Sequence, residues 1–467
     1  MDFPIFHLDF LGNRLLIAVI AVVHVMVNHA MAVGAMPLVT LLEWVALRRR
    51  DAALDRLAYR FLTVCFIVTT SLGALTGVGI WLSVSLVNPA AIGSLIRVFF
   101  WAWFAEWIVF VLEVLAIMVY TLTWRRMAAR KGVHVAVGAA LSLLSWVTMA
   151  IITAILGFMM DPGNWPVARS FASALANPIY IPQLAFRTPL AMVAAGTLAL
   201  ALVPLLARRD PDLRRRALRL SGGWVLGWLP LAVAGALLYR AAIPQWMLAN
   251  APVALATQAF ASWYGTLVAV LLAMTGVVLV VAGLAAARPA WVPAAVAVTP
   301  ILASLALLGT FERVREFIRK PFVIASYMHA NGIPEAHLPL LREDGLLAHA
   351  TYTSVREITA TNRVVAGREV FLLACTRCHT TRGVNGVDKR LQALYGPPPW
   401  DRDTVKAYLL TMHNVRRYMP PFPGSDEEAG ALAEFLVSLP SAPQRLEGAQ
   451  SAGVRLAPPP ARPGAGG

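Results

Sequence analysis

Charge is scarce in this chain. Only 14% of its 467 residues are Asp, Glu, Lys or Arg, 58% are hydrophobic, and mean hydropathy is +0.65. That balance excludes a water-soluble domain of this size. Acidic residues are scarcer than basic ones, 25 against 40, which leaves a net charge of +15. The excess does not point to nucleic acid, because no nucleic-acid motif is present and the Lys and Arg fall largely in short clusters between apolar runs, where they act as topology signals. Cysteine is scarcer still: three residues, too few for a disulfide framework. A positive leader is also lacking, since the chain starts Met1-Asp2-Phe3 and the apolar run from Leu15 is long enough to span; a cleavable signal peptide is not expected.

Long apolar runs are abundant. Segments able to cross a bilayer fall at 15–41, 61–87, 95–123, 134–160, 188–207, 221–239, 264–287 and 291–311. The expected fold is therefore all-α, a polytopic bundle of eight spans. Arg48-Arg49-Arg50, Arg125-Arg126 with Arg130-Lys131, and Arg208-Arg209 with Arg214-Arg215-Arg216 follow the first, third and fifth spans, so those loops are expected in the cytoplasm. The amino terminus is then periplasmic. An even number of spans returns the carboxyl end there too.

Two of the three cysteines stand in Cys375-Thr376-Arg377-Cys378-His379. Each thiol can form a thioether to a haem vinyl group and the adjacent His can coordinate the iron, so the motif reads as attachment of one covalent c-type haem. A zinc half-site would need two further Cys or His nearby, and Cys65 lies far off in an apolar run. Downstream, Tyr418-Met419-Pro420-Pro421-Phe422 offers Met419 as sixth ligand, with His413 its rival. Ser425 and Glu428 form a capping box ahead of a last helix whose apolar face is Leu432, Phe435 and Leu436. Haem c is attached in the periplasm, which agrees with the charge argument.

Ionisable groups inside the spans are few, and their cost in lipid makes each a functional candidate. His24 and His29 lie in the first span. Glu106 and Glu113 lie in the third, seven residues apart and so on one helix face. At ~1.5 Å rise per residue, His24 and Glu106 lie roughly 12–14 Å from the periplasmic surface and His29 and Glu113 about 21–23 Å. The pairs are expected to be level, as haem ligand with proton donor, as an inward proton relay, or as helix-packing hydrogen bonds.

Several stretches resemble subunit I of the cytochrome bd quinol oxidases. Asn13-Arg14-Leu15, His24 ten residues after the Arg, and Gly34 nine residues before Glu43 resemble that family's first span; Gly73-Ala74-Leu75-Thr76-Gly77 its second; Glu106 and Glu113 its membrane glutamates, at a spacing of seven instead of eight. Gly157-Phe158-Met159-Met160-Asp161-Pro162 resembles the close of its fourth span, Asn177-Pro178 the opening of its fifth, and Glu316-Phe317-Ile318-Arg319-Lys320-Pro321-Phe322 its glutamate haem ligand and following motif. The resemblance implies His24 and Glu316 as axial ligands of one or two non-covalent haems, b and/or d. It implies Glu106 and Glu113 as ligand or proton-delivering groups, with His29 and Glu43 extending the proton chain toward the cytoplasm. Arg315, Arg319 and Lys320 are candidates to pair with haem propionates or to anchor the interface.

The chain also departs from the family. Arg187 stands where a His should hold the low-spin haem, Ala259-Phe260-Ala261-Ser262-Trp263 offers no Met, and only Arg208 to Arg219 and Tyr239 to Ser262 separate the apolar runs where the quinol loop should be. The expected division is a bd-like membrane domain (1–322), a periplasmic connector (323–364) with His329, His337 and His349, a cytochrome c domain (365–440) and a disordered tail (441–467). The expected function is a cytochrome-fed terminal oxidase of the bacterial inner membrane, passing electrons from haem c to membrane haem and reducing oxygen or another diatomic. A second membrane subunit and a cytochrome donor or acceptor are the expected partners. The competing reading keeps the haems but makes the protein a non-catalytic electron-transfer subunit; a haem-based sensor or assembly protein ranks below both.

Overall fold

The computed structural model describes residues 3–255 and 264–441. Ala259 to Trp263 and the tail from 442 onward lie outside them. Among the described residues, eight helices are long and apolar enough to cross a membrane: Asn13–Arg49, Ala52–Val87, Phe100–Thr123, Ala128–Met160, Tyr180–Leu206, Pro211–Ala242, Val268–Ala287 and Ala294–Ile318. Each expected span falls on one of them, so the all-α, eight-span bundle with a globular carboxyl-terminal domain is observed. The helices run further than their apolar cores. The sixth starts at Pro211, taking Arg214, Arg215, Arg216 and Arg219 out of the expected loop, because Asp210 caps it by accepting Leu213 N at 2.9 Å and proline suits the first turn.

The fifth span forms the centre of the bundle. Its alanine face, Ala191, Ala194, Ala195 and Ala199, is fully buried, and small residues are what let membrane helices approach closely. A Cβ on Gly34 would come 2.0 Å from the Ala191 carbonyl oxygen, so the first and fifth spans touch backbone to backbone there. The third span is the opposite case, presenting Trp101, Phe104, Trp107, Leu112 and Leu115 outward. The first and second spans each carry one π turn, His29–Val33 and Thr69–Gly73, and such turns recur at functional positions because they re-aim side chains and free backbone groups.

The globular domain has four helices, α1 (Arg363–Ala374), α2 (Val387–Tyr395), α3 (Arg402–Val415) and α4 (Asp426–Ser438). Helices α1 and α4 cross where a Cβ on Gly367 would meet the Ala431 carbonyl oxygen at 2.0 Å, around Val370, Phe371, Leu432 and Phe435. The capping box at Ser425 and Glu428 forms as the sequence predicts. Glu428 also accepts Leu346 N and Leu347 N at 2.8 and 2.7 Å, so the connector is tied into the domain. That connector holds a two-stranded hairpin, β1 (Phe322–Ile324) and β2 (Met328–His329), and a helix at Leu338–Asp344.

The two ends of the bundle differ. At one, Arg216 meets Asp51 at 3.2 Å, Lys131 meets Asp55 at 2.9 Å and Arg214 donates to Val292 O at 2.7 Å, gathering the basic clusters. At the other, residues 4–12 form a strap across the globular domain. Asn13 shapes it by donating to Phe6 O at 2.7 Å, Ile5 packs on the domain core, and Val384 N donates to Phe10 O at 3.2 Å. Asp9 accepts both Thr381 N and Thr381 Oγ1, at 2.6 and 2.5 Å. Burial pushes the Asp9 carboxyl up, but hydrogen bonds from His7 and Thr381 outweigh it and set it at about 2. A depressed carboxyl stabilises docking above its unfolded value of about 3.9 and loses that contribution as pH falls toward about 2. Asp9→Ala is expected to weaken docking by about 1–2 kcal/mol, seen as faster amide exchange at Thr381 and Val384 at neutral pH, with the wild type approaching the variant only in strong acid.

Candidate functional site

His24 is held from the second span. Its Nδ1 lies 3.2 Å from Gly73 O and 3.1 Å from Thr76 Oγ1, and Asn28, one turn along, donates to the ring at 3.0 Å. Gly73 closes the second span's π turn, and Gly77 sits under the ring, where a Cβ would come 3.1 Å from His24 Cε1. With Nδ1–H donating to the Gly73 carbonyl, Nε2 is the nitrogen that accepts from Asn28 at 3.0 Å and the one that an iron would take in place of that hydrogen bond. The third span supplies the carboxylates. Glu113 accepts Ser145 Oγ at 2.6 Å and Thr148 Oγ1 at 3.1 Å, both from the fourth span, and Glu106 lies two turns away on the same face. The second and third spans meet at Trp81 and Trp103, ring centroids 4.7 Å apart.

His29 is placed differently from its expected partnership with Glu113. Its Nε2 faces Arg187 Nη1 at 3.2 Å, and Arg187 Nη2 donates to Glu312 Oε1 at 2.6 Å. Glu312 Oε2 in turn accepts Arg315 Nε at 2.9 Å. A guanidinium cannot give up its proton at any relevant pH and presents only donors, so it occupies the lone pair through which His29 would take up a proton. The geometry makes His29 a clamp on Arg187. Arg187 itself is 2% exposed and lies over Phe311, 5.3 Å from the ring centroid. Gln183, one turn before it, is fully buried.

Glu43 anchors a third cluster near the basic end. His134 Nδ1 donates to its Oε1 at 2.6 Å, Lys131 to the same oxygen at 2.7 Å, and Tyr120 OH to Oε2 at 2.7 Å. Lys131 also reaches Asp55, and Trp124 Nε1 donates to Asp55 at 3.1 Å. Sequence reading missed His134, Lys131 and Tyr120; the His and Lys three residues apart at the head of the fourth span were the available signal.

At the strap end, Glu316 carries Arg319 on one oxygen and Lys320 on the other, the latter at 3.2 Å. Arg319 and Lys320 are thus paired with Glu316, and Arg315 with Glu312, where sequence reading assigned these cations to propionates or interface anchoring. Cys375 and Cys378 are unpaired thiols one turn apart, with Cys378 N donating to Cys375 O at 3.1 Å. His379 Nδ1 donates to Asn385 O at 3.2 Å, and Asn385 is fixed by Cys378 O and Arg390. Burial pushes the His379 imidazole down to about 4, so Nε2 is unprotonated, as an iron ligand must be. These residues fit a c-type haem by donor chemistry and by the fixed tautomer. His413 Nδ1 donates to Met419 O at 2.6 Å, which makes it a brace for the Met419 loop. Of the connector histidines, His329 is 4% exposed and stacked on Phe322 at 4.8 Å; burial, with His413 and Arg342 nearby, lowers it to about 4. His337 lies in a short helical turn and His349 meets Asp344 at 2.9 Å.

Comparison with known proteins covers both parts of the chain. Residues 13–238 match the family model for cytochrome bd terminal oxidase subunit I. Residues 362–436 match that for cytochrome C oxidase, cbb3-type, subunit III. No curated protein matches. Among solved structures, the bd oxidase from Geobacillus thermodenitrificans superposes with a TM-score of 0.58 at 17% identity, covering 71% of this chain and 94% of that one. The chain therefore joins a bd-oxidase-subunit-I-like membrane domain to a cytochrome-c-like domain, an architecture of electron transport.

The buried ion network yields a stability prediction. Arg187→Ala leaves Glu312 facing apolar surroundings with one cation instead of two, and breaking such a pair costs about 3–5 kcal/mol. The purified variant is expected to unfold at markedly lower temperature in detergent, and Arg187→Ala with Glu312→Ala to recover part of the loss.

Proposed function

We propose that this protein is a cytochrome-fed terminal oxidase: electrons enter at a c-type haem held by Cys375, Cys378, His379 and Met419, pass to one or two b- or d-type haems in the membrane domain, and reduce oxygen to water. The observation that carries the reading is the seat of the cytochrome-c-like domain against the helix end bearing Glu316, where Tyr418, beside Met419, meets Phe317, beside Glu316, with ring centroids 5.5 Å apart. In the membrane domain His24 and Glu316 would hold the non-covalent haems. When bound, the haems supply the redox-active iron at which oxygen takes up electrons.

The chain's own residues do the rest. Gly73 and Thr76 hold the His24 ring, and Gly77 leaves it room. Reduction of oxygen to water consumes protons, which cross a lipid interior only along titratable or hydroxyl groups. Glu106 and Glu113 carry them to the site. Ser145 and Thr148 feed Glu113, and the Asp55–Lys131–Glu43–His134 cluster collects protons at the basic end. This assigns Glu43 the inward extension of the path and leaves His29 outside it. The strap and the haem-c domain face the periplasm of a bacterial inner membrane, the basic loops face the cytoplasm, a second membrane subunit accompanies the chain, and a cytochrome is the donor.

The test is a reduced-minus-oxidised spectrum of the purified protein, with haem extraction and CO added to the reduced sample. Expected are a covalent c-type signal and a CO-sensitive b or d signal that His24→Ala removes. Membrane haems indifferent to CO, or a c-type signal alone, would leave an electron-transfer subunit. Glu113→Gln is expected to keep CO binding while lowering oxygen consumption at least tenfold, a barrier increase of about 1.4 kcal/mol or more, measured with a reduced cytochrome or an artificial donor.

A further inference from the structure

The seam between the two domains is built around a pair of aromatic rings. Tyr418, adjacent to Met419, faces Phe317, adjacent to Glu316, with ring centroids 5.5 Å apart and planes inclined at 45°. Neither ring is placed by chance packing of a mobile loop. The guanidinium of Arg14, ten residues before His24, lies over Phe317 at 5.1 Å. Arg416 donates to Tyr418 OH at 2.8 Å, Met419 N returns to Arg416 O at 2.8 Å, and His413 holds Met419 O. The strap fixes the other side of the domain through Asp9 and Thr381, two residues beyond His379.

We infer that Tyr418 and Phe317 form a fixed electron bridge between the haem-c domain and the membrane domain. This rests on the proposed function, and deepens it by naming the residues at the crossing. Each crossing moves one electron: the c-haem iron goes from ferrous to ferric, the membrane haem iron from ferric to ferrous, and the external cytochrome donor restores the first. The rings are not themselves oxidised or reduced. They replace what would be a wet gap between domains with continuous packed atoms, across which electronic coupling decays less steeply than through water. Their position beside Met419 and Glu316 makes the contact the direct chain connection between a ligand candidate in each domain. Arg14 together with Arg319 and Lys320, the last two sharing the one Glu316 carboxylate, leaves the membrane side of the seam net positive, which favours an arriving electron. A domain swinging between donor and acceptor would need none of these clamps.

The test uses the full-length, haem-loaded protein. CO is photolysed from the partly reduced sample and the return of electrons to haem c is followed by absorbance, in wild type, Phe317→Leu, Tyr418→Leu and Phe317→Tyr. The inference expects both leucine variants to slow the transfer several-fold, the double variant to be no slower than the worse single one, and Phe317→Tyr to restore the rate, with the haem-c midpoint potential and amide protection at Thr381 unchanged. An unaltered rate in both leucine variants overturns the bridge while leaving the oxidase reading in place. A slowed rate accompanied by lost protection at Thr381 overturns it in favour of simple packing. A sample with no CO-binding haem overturns the oxidase reading, and the bridge with it.

Discussion

A charge within hydrocarbon must find a partner, and in this bundle that requirement decides where the helices can stand. Glu312 takes Arg187 and Arg315, Glu43 takes Lys131 and His134, and Glu113 takes two hydroxyls. Each set joins two or more spans, so the polar groups fix which helix faces which while the apolar surface only supplies bulk. The first and fifth spans illustrate the division: their backbones touch at Gly34 and Ala191, but their rotation is pinned by His29 against Arg187.

Much of this was legible in the sequence because it is local. Span positions follow from hydropathy, the haem-c motif from five consecutive residues, and the capping box at Ser425 from a spacing of three. The long-range pairs were not legible. Nothing in periodicity says that Arg187 will meet Glu312 across 125 positions, or that His134 will meet Glu43 across 91. His29 was read by depth alone, which places a residue along the membrane normal but not around the helix axis; a π turn at that very position shifts the rotation further. The mixed composition of the connector likewise hid its hairpin and its two backbone bonds to Glu428.

The functional parts are distributed by the same logic. The His24 pocket, the Glu316 end and the haem-c motif lie toward the strap end, the collecting carboxylates lie toward the basic end, and Glu106 and Glu113 stand between. Arg187 belongs to an ion network with Glu312, one turn before Glu316, so that network and the globular domain lie at the same end of the bundle.

The strap carries a consequence for biogenesis. Residues 4–12 leave the ribosome before any span, yet their partners, Thr381 and Val384, come after the last one. The segment that leads into the His24 helix therefore waits, through insertion of all eight spans, for the cytochrome-c-like domain to fold beneath it. Docking at Asp9 closes the chain into a ring of contacts, and a molecule whose cytochrome-c-like domain failed to fold would carry that failure back to the His24 helix.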